Sequence, residues 1–363
     1  MTACEILRAR GTEFPRWPRE ARRLPLEGAC VSNQRSFKAL AAKRDLSALG
    51  VITTPVDLVV PEQAMRSRGK AARFHVWGGR VPRLSMLRMG EDILVSGPEL
   101  VIVQLCGSQA KLDALLDQHV EAVHAEVSVM RELGIAGLPV VDNPLARDSV
   151  ERLVSATVLA CEFAGTYRLG GSAGQTAYHR EPLMSRRSLG SVLAEVEGTA
   201  NKTRAAEVMG LMYERSASPM ETALALMLTL PVTLGGMGLP RPDLNAPVDV
   251  SSVRGILSDR DELSPDMLWR EQRLALEYDS SEFHRDRGSH QLVEDARRAN
   301  ILTACGYRVM RVTPGVVASL SGVELLARQL AELLGVSLET PTDVQALRRR
   351  RIFAMLMPKS EAL

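Results

Sequence analysis

The chain has 363 residues, 45% of them apolar and 24% charged, which is enough for two or three domains around a large buried core and too apolar for a disordered chain. It holds no run near eighteen consecutive apolar residues, no apolar signal segment in its charged N-terminus, and five scattered cysteines without a C-x-x-C pair. This pattern excludes a spanning helix, a disulfide framework and a structural zinc site, and predicts a cytoplasmic, mainly α/β protein. The net charge of +2 is uneven. Residues 1–110 carry 17 Lys/Arg against 10 Asp/Glu, and Arg348-Arg349-Arg350-Arg351 form a second basic knot. Basic ends of this kind suit nucleic-acid phosphates, although a solvated face and a frayed tail account for them equally well. Aromatic residues are 4% of the chain, which disfavours a base-stacking platform.

In chain order, residues 1–108 read as a basic module with a small β-rich part. Short apolar runs such as Val56–Val60, Phe74–Trp77 and Ile93–Val95 are broken by Pro, Gly and Arg, as in a small sheet. Ser96-Gly97-Pro98-Glu99 has capping-box spacing and predicts a helix start. Residues 109–215 are helical in period, with Leu112, Leu115, Leu116, His119, Val120 and Val123, then Val154, Val158, Leu159 and Phe163, at three- and four-residue steps. His119 and His124 are five apart, so one helix face does not present both as ligands. The glycine-rich 169–174 stretch lacks the lysine of a phosphate loop and reads as a linker before a helical segment over roughly 186–214. Residues 216–336 form a third unit and 337–363 a basic tail.

The third unit carries the candidate chemistry. Ser218-Pro219-Met220-Glu221 is a second capping box, opening a helix to Leu230. Arg273–Asp279 reads as an apolar strand ending in two acids, so Glu277 and Asp279 share one face while Leu276 and Tyr278 point into the core. Asp266 lies eleven residues upstream of Glu277, a spacing that suits a hairpin setting the two side by side. Converging carboxylates repel unless a hard cation sits among them, and Mg²⁺ prefers such oxygen ligands. His284 follows, then a helix from Ser289 to about Cys305 with Asp295 and Arg298 as i, i+3 neighbours. Gly306 fits the position past the helix end, Tyr307–Val312 alternates as a strand, and Val323–Leu334 closes as an amphipathic helix.

The stretch Ser264–Thr313, with P-D, L-A-L-E-Y-D-S-S-E-F-H, E-D-A-R-R and G-Y-R-V-M-R-V-T in succession, resembles the Vsr-like endonuclease-domain family of the PD-(D/E)XK nuclease superfamily. Such domains occur at the C-terminus of AbiEi-like antitoxin or regulator proteins. The resemblance implies a four-stranded mixed sheet flanked by helices, preceded here by the β-rich module and the helical middle. It also implies cleavage of DNA with Mg²⁺ or Mn²⁺. Asp266 would then bridge the metal, Glu277 would be the second acid, and Glu221 the acid on the first helix. Asp279 stands where the wider superfamily has lysine, a position Vsr-like members also change. His284 lies near the histidine that assists the mismatch nickases, and Arg298 would contact phosphate or lock Asp295.

Plainer roles exist for each. Glu221 fits its helix cap alone, Glu277 and Asp279 fit a strand leaving for solvent, His284 fits a surface position, and Asp295 with Arg298 fits a structural ion pair. Trp269, Tyr278 and Cys305 read as core. Two functions follow: a metal-dependent DNA endonuclease or nickase in defence or repair, or a non-catalytic DNA-binding regulator or antitoxin with a degenerate nuclease-like domain. A cognate toxin or defence protein is an expected partner, and a membrane is not.

Overall fold

The computed structural model describes residues 1–24, 33–42, 45–51, 54–89, 93–107, 118–120, 148–170, 176–198, 200–257, 259–278 and 289–357, with the backbone alone for 289–295. The chain is mixed α/β with several small sheets. It divides into two compact units, the first Met1–Leu116, Glu151–Ala164 and Arg168–Met212, the second Asp117–Val150, Gly165–Tyr167 and Tyr213–Leu363. No helix among the described residues is long and apolar enough to cross a membrane.

The first unit runs α1 (Thr2–Arg10), β1 (Arg16–Trp17), α2 (Gln34–Ala41), β2 (Val56–Val60), β3 (Ala72–Val76), β4 (Met86–Arg88), β5 (Leu94–Ser96), α3 (Pro98–Leu105), α4 (Ser149–Ala164), β6 (Arg168–Leu169), β7 (Thr176–Ala177), α5 (Arg186–Glu195) and α6 (Ala200–Leu211). Strands β1, β4 and β5 form an antiparallel sheet, while β2 and β3 pair in parallel. Helix α4 is buried nearly all round, with Val154, Val158, Leu159 and Phe163 in the core. Its Glu162 forms a buried ion pair with Arg8 at 2.7 Å, joining segments far apart in sequence.

Several local expectations change here. Pro98 does open α3, but Gly97 is the N-cap and makes no side-chain cap; Glu99 turns instead to Arg16 at 2.7 Å. A charged partner competes successfully with a backbone N–H for that carboxylate. Arg168 and Leu169, at the start of the glycine-rich stretch, pair antiparallel with Ala177 and Thr176, and its residues 171–174 lie outside the described residues. The helical segment expected over roughly 186–214 is present as two helices, α5 and α6, separated where Val196 leaves helical geometry as the C-cap of α5. Expectations for Leu112, Leu115, Leu116, Val123 and His124 lie outside the described residues.

The second unit runs α7 (Pro219–Thr229), β8 (Asp243–Leu244), β9 (Val248–Asp249), β10 (Glu262–Leu263), β11 (Met267–Trp269), β12 (Leu274–Tyr278), α8 (Ser289–Ala304), β13 (Arg308–Val312), α9 (Pro314–Val317), α10 (Leu320–Leu334) and α11 (Asp343–Leu356). Its main sheet has the order β13-β12-β11-β8. The pairs β8·β11 and β11·β12 are antiparallel, and β12·β13 is parallel. A parallel neighbour cannot be reached by a tight turn, and α8 lies in the connection between β12 and β13. Gly306 closes α8 with φ +84, a conformation that favours glycine, and its N–H donates to the Thr303 carbonyl.

Strand β12 does not alternate between core and solvent. Leu274, Ala275 and Leu276 are all fully buried, because helices or loops cover both faces of this central strand. Ala275 packs with Leu268, Leu263, Ile301 and Leu302 in one cluster, so α8 lies on the face that Ala275 shares with Glu277. Residues 343–356, expected within a basic tail, form α11, capped reciprocally by Thr342 and Gln345. Arg348 donates to the Thr233 carbonyl at 2.8 Å, and the buried Arg349 donates to the Gly236 carbonyl at 3.2 Å. Half of the four-arginine knot is therefore spent on holding α11 to the turn after α7.

Candidate active site

Adjacent strands bring the first two acids together. Met267 faces Leu276 across β11 and β12, and continuing that register by one residue sets Asp266 beside Glu277. The connecting turn is 270–273, with Arg273 at φ 47. Asp266 is held from below by its partner strand, since the Tyr278 N–H donates to Asp266 Oδ2 at 2.6 Å. Its own carbonyl accepts from the Asn245 N–H at 3.1 Å.

Glu221 enters from the first turn of α7. Ser218 caps that helix by accepting from the Glu221 N–H at 3.1 Å. The Glu221 carboxylate does not close the box on Ser218. Its Oε2 accepts from the Ala217 N–H at 2.9 Å and from Asn245 Nδ2 at 2.6 Å. Asn245 Nδ2 also donates to the Arg215 carbonyl at 2.9 Å, so one side-chain amide ties α7 to the preceding loop. Asn245 has φ 47, a left-handed conformation that asparagine tolerates better than most residues. Sequence reasoning missed this residue; its only signal was an asparagine in the turn-rich P-R-P-D-L-N-A-P stretch.

Arg298 lies on α8 one turn before Ile301 and Leu302, the residues that seat the helix on the sheet. Its Nη2 donates to Glu277 Oε1 and Oε2 at 3.3 and 3.4 Å and to the Ser264 carbonyl at 3.1 Å. Arg298 therefore bonds across to the sheet, and its expected contact with Asp295 falls on a side chain outside the described residues. Asp295 stands in α8, but its side chain lies outside the described residues, as do Asp279 and His284 altogether.

The electrostatics are those of crowded acids. Burial pushes the Glu221 carboxyl up to about 7, against the opposing hydrogen bonds from Ala217, Asn245 and Ser218, with the Glu277 charge adding to the rise. Asp266 is raised well above the usual carboxylate range, by burial first and then by the charges of Glu221 and Glu277. The Tyr278 N–H and Arg298 act in the other direction without overcoming it. Three acids share these surroundings with one guanidinium, and near neutral pH part of the excess charge is removed by protonation.

The donor set consists of carboxylate oxygens, which suits a hard divalent cation rather than zinc. As placed, no three His, Cys, Asp or Glu side chains among the described residues form a group that could hold a metal ion. Magnesium retains several waters and commonly uses only one or two protein carboxylates; of the two on adjacent strands, Asp266 accepts from the Tyr278 N–H and Glu277 from Arg298. Trp269 is core, as expected, and its Nε1 donates to the Pro240 carbonyl at 2.8 Å. Cys305 is half-buried against the α8 cluster. Comparison with family models, curated proteins and solved structures gave no match.

Proposed function

We propose that residues 216–336 form a metal-dependent DNA endonuclease or nickase domain of PD-(D/E)XK type, with Mg²⁺ or Mn²⁺ held by Asp266 and Glu277. The observation that carries this reading is the strand register that sets Asp266 beside Glu277, with Glu221 near enough for its charge to raise the Asp266 carboxyl. The strand order β13-β12-β11-β8, with its single parallel pair next to α8, supports it as the kind of mixed sheet the resemblance implies.

A bound divalent cation supplies Lewis-acid polarisation of the scissile phosphate and a more acidic water. The chain's own groups fix the surroundings. The Tyr278 N–H pins one oxygen of Asp266. Asn245 holds Glu221 in place, and burial lets Glu221 keep a proton near neutral pH. Arg298 offsets Glu277 and, in this reading, exchanges that contact for the DNA phosphate. Asp279 and His284 are assigned here as the third acid and the proton acceptor, on the resemblance alone.

Supercoiled plasmid incubated with Mg²⁺ or Mn²⁺ tests the reading. Wild type is expected to nick or linearise it, and Asp266→Ala and Glu277→Ala to lose that activity; equal nicking by all three rejects the site. A second reading, a DNA-binding regulator or antitoxin whose nuclease-like domain is silent, is favoured by the Arg298–Glu277 contact, where a guanidinium already compensates one acid. In that case wild type leaves the plasmid intact while it and both variants bind DNA equally, and a cognate toxin or defence partner becomes the expected companion.

A further inference from the structure

A second charged feature, in the first unit, is not used by the acid cluster. A cavity of about 500 Å³ is lined by Arg16, Trp17, Arg19, Glu20, Arg22 and Arg88, with Pro15 and Ala21 completing it. The guanidiniums of Arg22 and Arg88 both stand over the Trp17 ring, 5.0 and 6.0 Å from its centroid. Their backbones are fixed. Arg22 bridges to Val81, and the Arg88 N–H donates to the Pro15 carbonyl at 2.9 Å. Two cations on one indole repel each other, and the ring quadrupole offsets that only in part.

The surrounding acids do not balance them. Arg16 is committed to the buried Glu99. Among the described residues no carboxylate lies within ion-pair distance of Arg19, Arg22 or Arg88, and Glu20 is the one acid in the lining. The Trp17 indole N–H is also buried without an acceptor, although Trp17 is only 8% exposed. The lining thus has an excess of donors and positive charge, held by paired backbone segments and open to a ligand larger than a single ion.

We propose that this cavity binds a phosphate group through Arg19, Arg22 and Arg88, and that the phosphate belongs to a nucleic-acid backbone. The phosphate chemistry stands on the cavity itself; the choice of nucleic acid rests on the function proposed above. It also fits the excess of Lys and Arg over Asp and Glu in residues 1–110.

The test uses the full chain, a short labelled DNA duplex read by anisotropy over a range of salt, and inorganic phosphate at constant ionic strength read by the melting temperature. Arg22→Gln/Arg88→Gln is expected to weaken duplex binding about tenfold or more and to lower the slope of log K against log salt by about two; Arg19→Gln should lower it by about one. Arg19 is exposed, so its variant keeps the test valid if the double variant fails to fold. If duplex binding is unchanged while phosphate stabilises wild type but not the variants, the site stands and its ligand is a free phosphate compound. If variants and wild type behave alike in both arms, the site is refuted. Loss of the nuclease reading would appear separately, as plasmid cleavage that is absent or indifferent to Asp266→Ala, and would leave the arginine-dependent binding as measured.

Discussion

Arg298 Nη2 reaches both carboxylate oxygens of Glu277, at 3.3 and 3.4 Å, from a helix twenty-one residues further along the chain. The pair is half-buried and sits between α8 and β12. It locks the helix to the strand and places positive charge beside acids whose protons are held unusually tightly.

Removing this guanidinium should cost stability in a pH-dependent way. Arg298→Ala is expected to destabilise the protein by about 1–3 kcal/mol near pH 8, where its loss leaves the carboxylates facing one another. Near pH 5 Glu221 is protonated, less negative charge surrounds Glu277, and the loss should shrink. Thermal or urea melts at the two pH values measure the difference, and an equal loss at both contradicts the electrostatic role.

Glu221 gives the opposite kind of signal. Its folded-state value of about 7 lies above its ordinary 4.5, so the native state retains a proton that the unfolded chain releases between those values. Stability therefore falls as pH rises through that window and levels off above it, by up to about 3 kcal/mol. Asp266 adds to the slope with the same sign. Glu221→Gln should flatten part of the slope and raise stability at pH 8, as read from denaturant midpoints across pH.

Helix α8 owes its position to packing as well as charge. Leu302 is fully buried, in the cluster that contains Leu268 and Ala275. Leu302→Ala is expected to lose about 2–5 kcal/mol through removed contacts and a residual cavity. Chemical denaturation checks the figure; a loss below about 1 kcal/mol would mean that α8 is not seated on this face.

The arginines of α11 should not behave as one basic patch. Arg349 is buried, donates to the Gly236 carbonyl and pairs with Glu324 at 3.3 Å, whereas Arg350 is exposed. Arg349→Ala is expected to cost about 1–3 kcal/mol and Arg350→Ala to stay within about 0.5 kcal/mol of wild type. Parallel melts of the two variants decide it.

Much of the second unit was legible in its residues because the deciding interactions are local. The four-residue turn between Trp269 and Leu274 fixed the hairpin register, and with it the Asp266–Glu277 neighbourhood. Ser218 before Pro219 and Gly306 after α8 marked helix ends through their own backbone chemistry. What stayed hidden depends on distant parts of the chain. Asn245 reaches Glu221 only because β8 pairs with β11, and no periodicity announces that. Glu99 and Glu221 both sit at cap spacing, yet a partner elsewhere, Arg16 in one case and Asn245 in the other, changed where each carboxylate points. The strand alternation at 274–278 failed for a related reason, since a central strand covered on both faces has no solvent side to mark.

The most direct measurement of the central claim is calorimetric titration of Mn²⁺ into wild type and Asp266→Asn at pH 7, in two buffers of different ionisation enthalpy. Wild type is expected to bind saturably, with protons released as the cation displaces those held by Glu221 and Asp266, and Asp266→Asn to lose that binding. Binding that is absent from wild type, or identical in the two proteins, would contradict the claim.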